Sequence, residues 1–221
     1  DALGLAADLV PQDVARIGSQ DIGWTQWRAL HAACAAAIVD PAVDGIIITH
    51  GTDTAEETGY LLDLTLPTAM PIVLVGAMRA ADAVGADGMR NFANAVKVVS
   101  DLQASGRGVM LVMGDAVLSA RDARKAATSA IDAFRSFPRG PLARVTPATL
   151  DWFGPPHRPD EAARYAFPES LPRVAILAAG AGMDAQPVEA LLAIGCKGVV
   201  LAGMGQGNAP ASVLIALSQA A

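Results

Sequence analysis

Short, β-branched apolar runs recur along the chain, and each ends in a polar or glycine-rich turn. They read GIIIT (45–49), PIVLVGAM (71–78), RGVMLVMGD (107–115), RVAILAAGAG (173–182) and KGVVLAGMGQG (197–207). Continuous apolar runs of this kind predict strands covered on both faces, as in a parallel sheet. Between them, WTQWRALHAACAAAIV, NFANAVKVVSDLQA and PVEALLAI repeat apolar residues at helical spacing. Pro187 suits the first position of a helix and Gly195 the position just past its end. Strands alternating with helices define an α/β protein with a two-sided sheet. Neither a fixed-period repeat nor a low-complexity tract interrupts the pattern.

Residues 147–172, PATLDWFGPPHRPDEAARYAFPESLP, do interrupt it. They are rich in Pro and turn residues and carry no clean period. The predicted organisation is a larger N-terminal α/β domain over 1–146 with a mainly parallel (flavodoxin-like) sheet. A linker over 147–172 and a smaller, incomplete parallel α/β domain over 173–221 follow. A long surface excursion within one domain is the alternative.

Composition narrows the partners. Of the 221 residues, 52% are hydrophobic and only 17% charged. Such a chain buries a sizeable core and still has apolar surface to hide, so contacts between subunits are expected. Its longest apolar stretches are too short and too glycine-rich to span a bilayer. The net charge is −6, without a basic cluster, which argues against nucleic acid and anionic membrane. Cys34 and Cys196 sit in apolar surroundings without CxxC spacing and are expected as buried free thiols. No signal peptide is visible. The expectation is a cytoplasmic protein, or a periplasmic one if a signal peptide precedes Asp1.

In open parallel sheets, ligands bind beyond the C-terminal ends of the strands. There, THGTDTAEETGY (49–60) follows the apolar GIII. Thr54 and Glu57 have capping-box spacing and are expected to build the start of a helix near Ala55. Thr52 and Asp53 then lie on the turn, near the positive end of the helix dipole. Gly51 allows a ligand to approach that turn, and His50 is expected to brace it. A threonine hydroxyl needs a base, and the base needs orientation. One arrangement uses a buried lysine held by a carboxylate. Lys97 lies in a helical stretch and Lys197 starts a strand. Lys125, in ARDARKAAT (120–128), follows the strand over 108–113 and so comes from another strand end of the same sheet. A solvated loop charge is the alternative reading of Lys125.

Other stretches could line the same rim. In GAMRAADAVGADGMRN (76–91), Gly76 and Ala77 permit close backbone approach, although a tight strand exit explains them equally well. Asn91 is expected to cap the helix that follows. IGSQDI (17–22) offers Ser19, Gln20 and Asp21, with Asp21 suited to an N-cap. MGQGNAP (204–210) lacks the order of a dinucleotide fingerprint or a P-loop, which argues against a nucleotide.

Together, GSQD (18–21), THGTDTAEETGYLL (49–62), VLVGAMRAADAVGADGMRN (73–91), LSARDARKAATSAIDAF (118–134) and GVVLAGMGQGN (198–208) resemble the bacterial-type L-asparaginase/glutaminase-asparaginase family. They stand in the family's order and run over nearly the whole chain. The resemblance implies hydrolysis of L-asparagine, and possibly L-glutamine, through a threonine acyl-enzyme without metal or cofactor. It implies Thr52, Asp53 and Lys125 as the catalytic set. Ser19 and Gln20 would hold the substrate's α-carboxylate and amino group, with Asp53 also on the amino group. Gly51 and Ala77 would present backbone groups. Asn208 would enter from a neighbouring subunit of a dimer or a dimer of dimers. GSQD favours the type II-like branch.

The chain also departs from the family pattern. Family members begin with a strand ending in a Thr-Gly-Gly-Thr-Ile type turn, whose Thr is the usual nucleophile, assisted by a Tyr on the following lid. This chain has no Gly-Gly pair, and Tyr60 and Tyr165 stand in no lid context. Further segments beyond both ends are therefore expected in the polypeptide. A catalytically inactive, amino-acid-binding member is the alternative.

Overall fold

The structure, a computed structural model, describes residues 7–146, 148–156 and 165–221. The chain separates between Phe167 and Pro168 into two compact units. In the first, chain order is α1 (Trp24–Val39), β1 (Ile46–Thr49), α2 (Ala55–Thr65), β2 (Ile72–Val75), α3 (Gly88–Val99), β3 (Val109–Met113), β4 (Ala116–Ser119), β5 (Ala123–Lys125), β6 (Phe134–Ser136), β7 (Ala143–Val145) and β8 (Leu150–Trp152). A six-stranded sheet has the order β1-β2-β3-β4-β7-β8, and β5 and β6 form a separate two-stranded sheet.

β1, β2 and β3 are parallel, with Ile72 facing Ile46 on one side and Val109 on the other. The pleat sends alternate residues to opposite faces. Ile72 and Leu74 join Cys34 of α1 and Leu62 of α2 on one face. Val73 and Val75 join Ala95 and Val98 of α3 on the other. With helices on both faces, β2 has no polar position, which explains its unbroken apolar run.

β4 turns straight back from β3, and Met113 pairs with Ala116 across the turn. Gly114 makes this possible with φ +59, a conformation that side chains disfavour. The Asn94 side chain donates to the Gly114 carbonyl at 2.8 Å, and the Gly114 amide donates to Asn91 Oδ1 at 3.0 Å. β4, β7 and β8 then extend the parallel strands in antiparallel fashion.

Residues 150–152 fall in the stretch expected to be linker, yet they form the edge strand β8. A turn closed by the Thr149 amide on the Thr146 hydroxyl at 2.9 Å brings them back. Trp152 packs beneath the Arg107 guanidinium, 4.0 Å from its ring centre. Residues 157–164 of that stretch lie outside the described residues.

The starts of α1 and α3 differ from expectation. α1 begins after Gly23, whose amide donates to the Gln26 side chain at 3.1 Å, while Asp21 belongs to a separate 3-10 turn, Ser19–Asp21. α3 begins after Asp87, so Asn91 lies inside it and is fully buried. Its amide group is drawn inward by the Gly76 carbonyl at 2.9 Å.

The second unit contains β9 (Val174–Ala178), α4 (Gln186–Ala193), β10 (Gly198–Ala202) and α5 (Ala211–Ala220). β9 and β10 are parallel, in register from Val174 with Gly198 to Ala178 with Ala202. Pro187 sits in the first turn of α4, and Gly195 follows its end with φ +77. Leu177, Val188 and Val213 form the small core. Cys34 is buried and Cys196 half-buried, both as free thiols. Burial pushes the Cys34 thiol up to about 11. Among the described residues, no helix is long and apolar enough to cross a membrane.

Candidate active site

β1 ends at Thr49 and α2 starts at Ala55, so the turn between them lies at the C-terminal edge of the parallel strands. His50 braces it. The Trp27 indole donates to Thr58 Oγ1 at 2.8 Å, and His50 Nε2 lies 2.9 Å from the same oxygen. His50 Nδ1 lies 2.6 Å from the Gly51 carbonyl, which accepts from it. With Nδ1 protonated, Nε2 is left to accept from the Thr58 hydroxyl, so a neutral ring satisfies every partner. Burial holds His50 below the ordinary histidine range, against a smaller upward pull from the Gly51 carbonyl.

Thr54 is the residue before α2, but the expected capping box with Glu57 does not form. No side chain caps this helix start. The Thr54 hydroxyl instead donates to the Ser19 carbonyl at 2.8 Å, and Glu57 is exposed. Thr54 thus acts as a donor to a distant carbonyl rather than as an acceptor for the Glu57 amide of its own helix. Ser19 is buried and lies against the turn: a Cβ built on Gly51 would sit 2.6 Å from Ser19 Oγ. Gln20 is exposed beside it, its amide 3.2 Å from Asp21 Oδ2.

The exit of β2 touches the same turn. A Cβ on Gly76 would lie 2.6 Å from the His50 carbonyl and 3.1 Å from Thr52 Cγ2. The loop beyond is held by Asp87, whose carboxylate accepts from the Met78 and Arg79 amides at 3.0–3.1 Å and from Asn91 at 3.0 Å. Burial alone would raise the Asp87 carboxyl. The backbone and Asn91 hydrogen bonds outweigh it and hold the group below its usual range. Ala77 therefore follows Gly76 on a fixed turn.

Lys125 arrives on β5. Its ammonium donates to Thr52 Oγ1 at 2.9 Å and pairs with Asp53 Oδ1. The Lys125 side chain is 18% exposed and that of Asp53 60% exposed. A half-open carboxylate thus holds a largely covered lysine against a hydroxyl. Arg139 clamps Asp122 at 2.6 and 2.7 Å just before β5. Sequence reasoning missed Glu56, whose carboxylate accepts from the Lys125 backbone amide at 2.6 Å. The signal was the first acid of the Glu56–Glu57 pair, hidden because the local capping pattern drew attention to Glu57.

The first unit thus brings together Ser19, Gly51, Thr52, Asp53, Gly76 and Lys125, with Ala77 one residue beyond Gly76. Asn208 lies in the second unit, on a turn closed by mutual backbone hydrogen bonds with Met204 at 2.7 and 2.8 Å. Among the described residues, no group of three His, Cys, Asp or Glu side chains has metal-binding geometry.

Fold and site together define an α/β protein with a hydroxyl–lysine–carboxylate centre at the edge of a parallel sheet. Residues 2–158 match the family described as Asparaginase, N-terminal, and residues 173–221 match the Glutaminase/Asparaginase C-terminal domain. The chain belongs to the asparaginase family. It is 40% identical to the probable periplasmic L-asparaginase of Haemophilus influenzae and 38% identical to L-asparaginase 2 of Escherichia coli, each over 97% of this chain. It spans 62% of the length of each of these relatives. A crystal structure of a probable cytoplasmic L-asparaginase from Campylobacter jejuni superposes with a TM-score of 0.91 at 34% identity, covering 97% of this chain and 67% of that one.

Proposed function

We propose that the protein is an amidohydrolase that converts L-asparagine to L-aspartate and ammonia through a threonine acyl-enzyme. The observation that carries this reading is the contact of Lys125 with Thr52 and Asp53 at one point. A threonine oxygen adds to the side-chain amide carbon, and its proton passes to the leaving nitrogen, which departs as ammonia. Water then hydrolyses the ester and restores the hydroxyl. Thr52 and Lys125 carry the proton, and Asp53 orients the lysine. Ser19, Gln20 and Asp53 bind the α-carboxylate and amino group, while the Gly51 and Ala77 backbones face the substrate. Asn208 serves the site of a neighbouring subunit in a homo-oligomer.

Ammonia release from L-asparagine and L-glutamine by the full-length protein tests this reading. Steady turnover of asparagine is expected. Amino-acid binding without ammonia release would instead identify an inactive, amino-acid-binding member of the family. Mixing a Thr52→Ala chain with an Asn208→Ala chain tests the shared site. Restored activity in mixed oligomers supports it, and its absence overturns it.

A further inference from the structure

We propose that Glu56 is a positioning residue for Lys125, locking the strand that carries the lysine to the helix that follows Thr52 and Asp53. The proposal rests on the reading of Thr52, Asp53 and Lys125 as the proton-handling group. Among the described residues β5 pairs only with β6, and no strand lies along its outer edge. The Ala126 amide points to β6 and donates to the Ala133 carbonyl at 2.8 Å. Successive amides along a strand point to opposite sides, so the Lys125 amide faces away from β6. There Glu56 Oε2 accepts it at 2.6 Å. Glu56 is half-buried in the first turn of α2 and can make this contact without leaving its helix.

The consequence concerns reach. A lysine ammonium hangs on a flexible four-carbon stem, and its position depends on where the stem begins. Glu56 holds the backbone end, while Thr52 and Asp53 hold the ammonium. The stretch 52–56 therefore grips Lys125 at both ends. An ionised acceptor makes this backbone hydrogen bond stronger than a neutral one would. Misplacement of a catalytic group by about 1 Å can cost about 100-fold in rate. Glu57, the neighbouring acid, is exposed and serves as the control.

The test compares Glu56→Ala, Glu56→Gln and Glu57→Ala in the full-length protein. Glu56→Ala is expected to lower kcat for asparagine by about 10- to 100-fold with KM within about threefold, because geometry at the reacting group is lost rather than substrate binding. Glu56→Gln keeps an acceptor oxygen and is expected to recover to within about fivefold of wild type. Amide hydrogen exchange at Lys125 is expected to accelerate at least about tenfold in Glu56→Ala and little in the other two. If Glu56→Ala does not fold, Glu56→Asp, one methylene short, replaces it with the same expectations. Unchanged kcat, unchanged Lys125 exchange, or a Gln variant as impaired as the Ala variant would overturn the proposal. If wild type releases no ammonia, the amidohydrolase reading fails, and the exchange result alone decides whether Glu56 holds Lys125.

Discussion

The Lys125 ammonium donates to the Thr52 hydroxyl at 2.9 Å across 73 positions of sequence. Two strand ends meet there. Thr52 follows β1, and Lys125 closes β5, which the Asp122–Arg139 pair and the Glu56 contact fasten in place. Neither residue is reactive alone. In the proposed mechanism, their juxtaposition, completed by Asp53, lets the hydroxyl exchange protons with a base.

Thr52→Ala and Lys125→Met should each lower kcat for asparagine by about 100- to 10,000-fold, the range for removal of a general acid–base. Both side chains lie at the rim of the sheet rather than in its core, so thermal unfolding should shift little. Steady-state kinetics with matched melting curves checks this. Near-normal turnover in either variant removes that residue from the mechanism.

Gly76→Ala should destabilise the protein by about 1–3 kcal/mol, the usual cost of overpacking. The new methyl group would meet the His50 carbonyl at 2.6 Å, a backbone atom that cannot swing aside. It would also press on Thr52, so activity should fall with stability. Urea unfolding of the variant gives the first quantity and ammonia release the second.

Thr54 and Glu57 separate a local cap from a tertiary contact. Thr54→Val removes the donor to the Ser19 carbonyl and should cost about 1 kcal/mol. Glu57→Ala should stay within about 0.5 kcal/mol, as surface changes do. A capping box would make the two losses similar. Denaturant titration of both variants decides.

Acid should weaken the fold through His50. Its folded-state pKa lies below the unfolded value, so the unfolded chain takes up the proton first as pH falls. The stability this supplies is present above the ordinary histidine pKa of about 6.5 and declines as pH drops below it. Protonation would turn Nε2 from acceptor to donor and leave the Thr58 hydroxyl hydrogen without the acceptor it uses in the neutral state. His50→Asn should flatten stability against pH between about 7 and 5.5 relative to wild type. An unchanged slope would show that another group titrates there.

Periodicity and spacing made much of this molecule legible. The apolar runs at 46–49, 72–75 and 109–113 are unbroken because helices cover both faces of the sheet, and that burial is written directly into side-chain type. The glycine at 195 and the proline at 187 mark a helix because their backbone preferences are local. Thr52 and Asp53 stood out because they lie between a strand end and a helix start. The antiparallel extension through β4, β7 and β8 was hidden, since AVLS, ARV and LDW mix polar and apolar residues over too few positions to form an unbroken run.

By itself, the sequence determined the α/β class, the apolar strands 46–49, 72–75 and 109–113, and the residue types gathered beyond them. These follow from local preference and burial. Lys125, expected in a loop of the same sheet, lies on β5 of a separate hairpin. Only the tertiary structure decided that Thr54 serves Ser19 rather than Glu57, that Asn91 turns inward, and that Glu56 holds Lys125. In each case a polar group had both a nearby and a distant partner, or none nearby at all. Which bond forms depends on where the packed sheet and the β5–β6 hairpin place the distant atoms, and that placement is settled only when the whole core is buried.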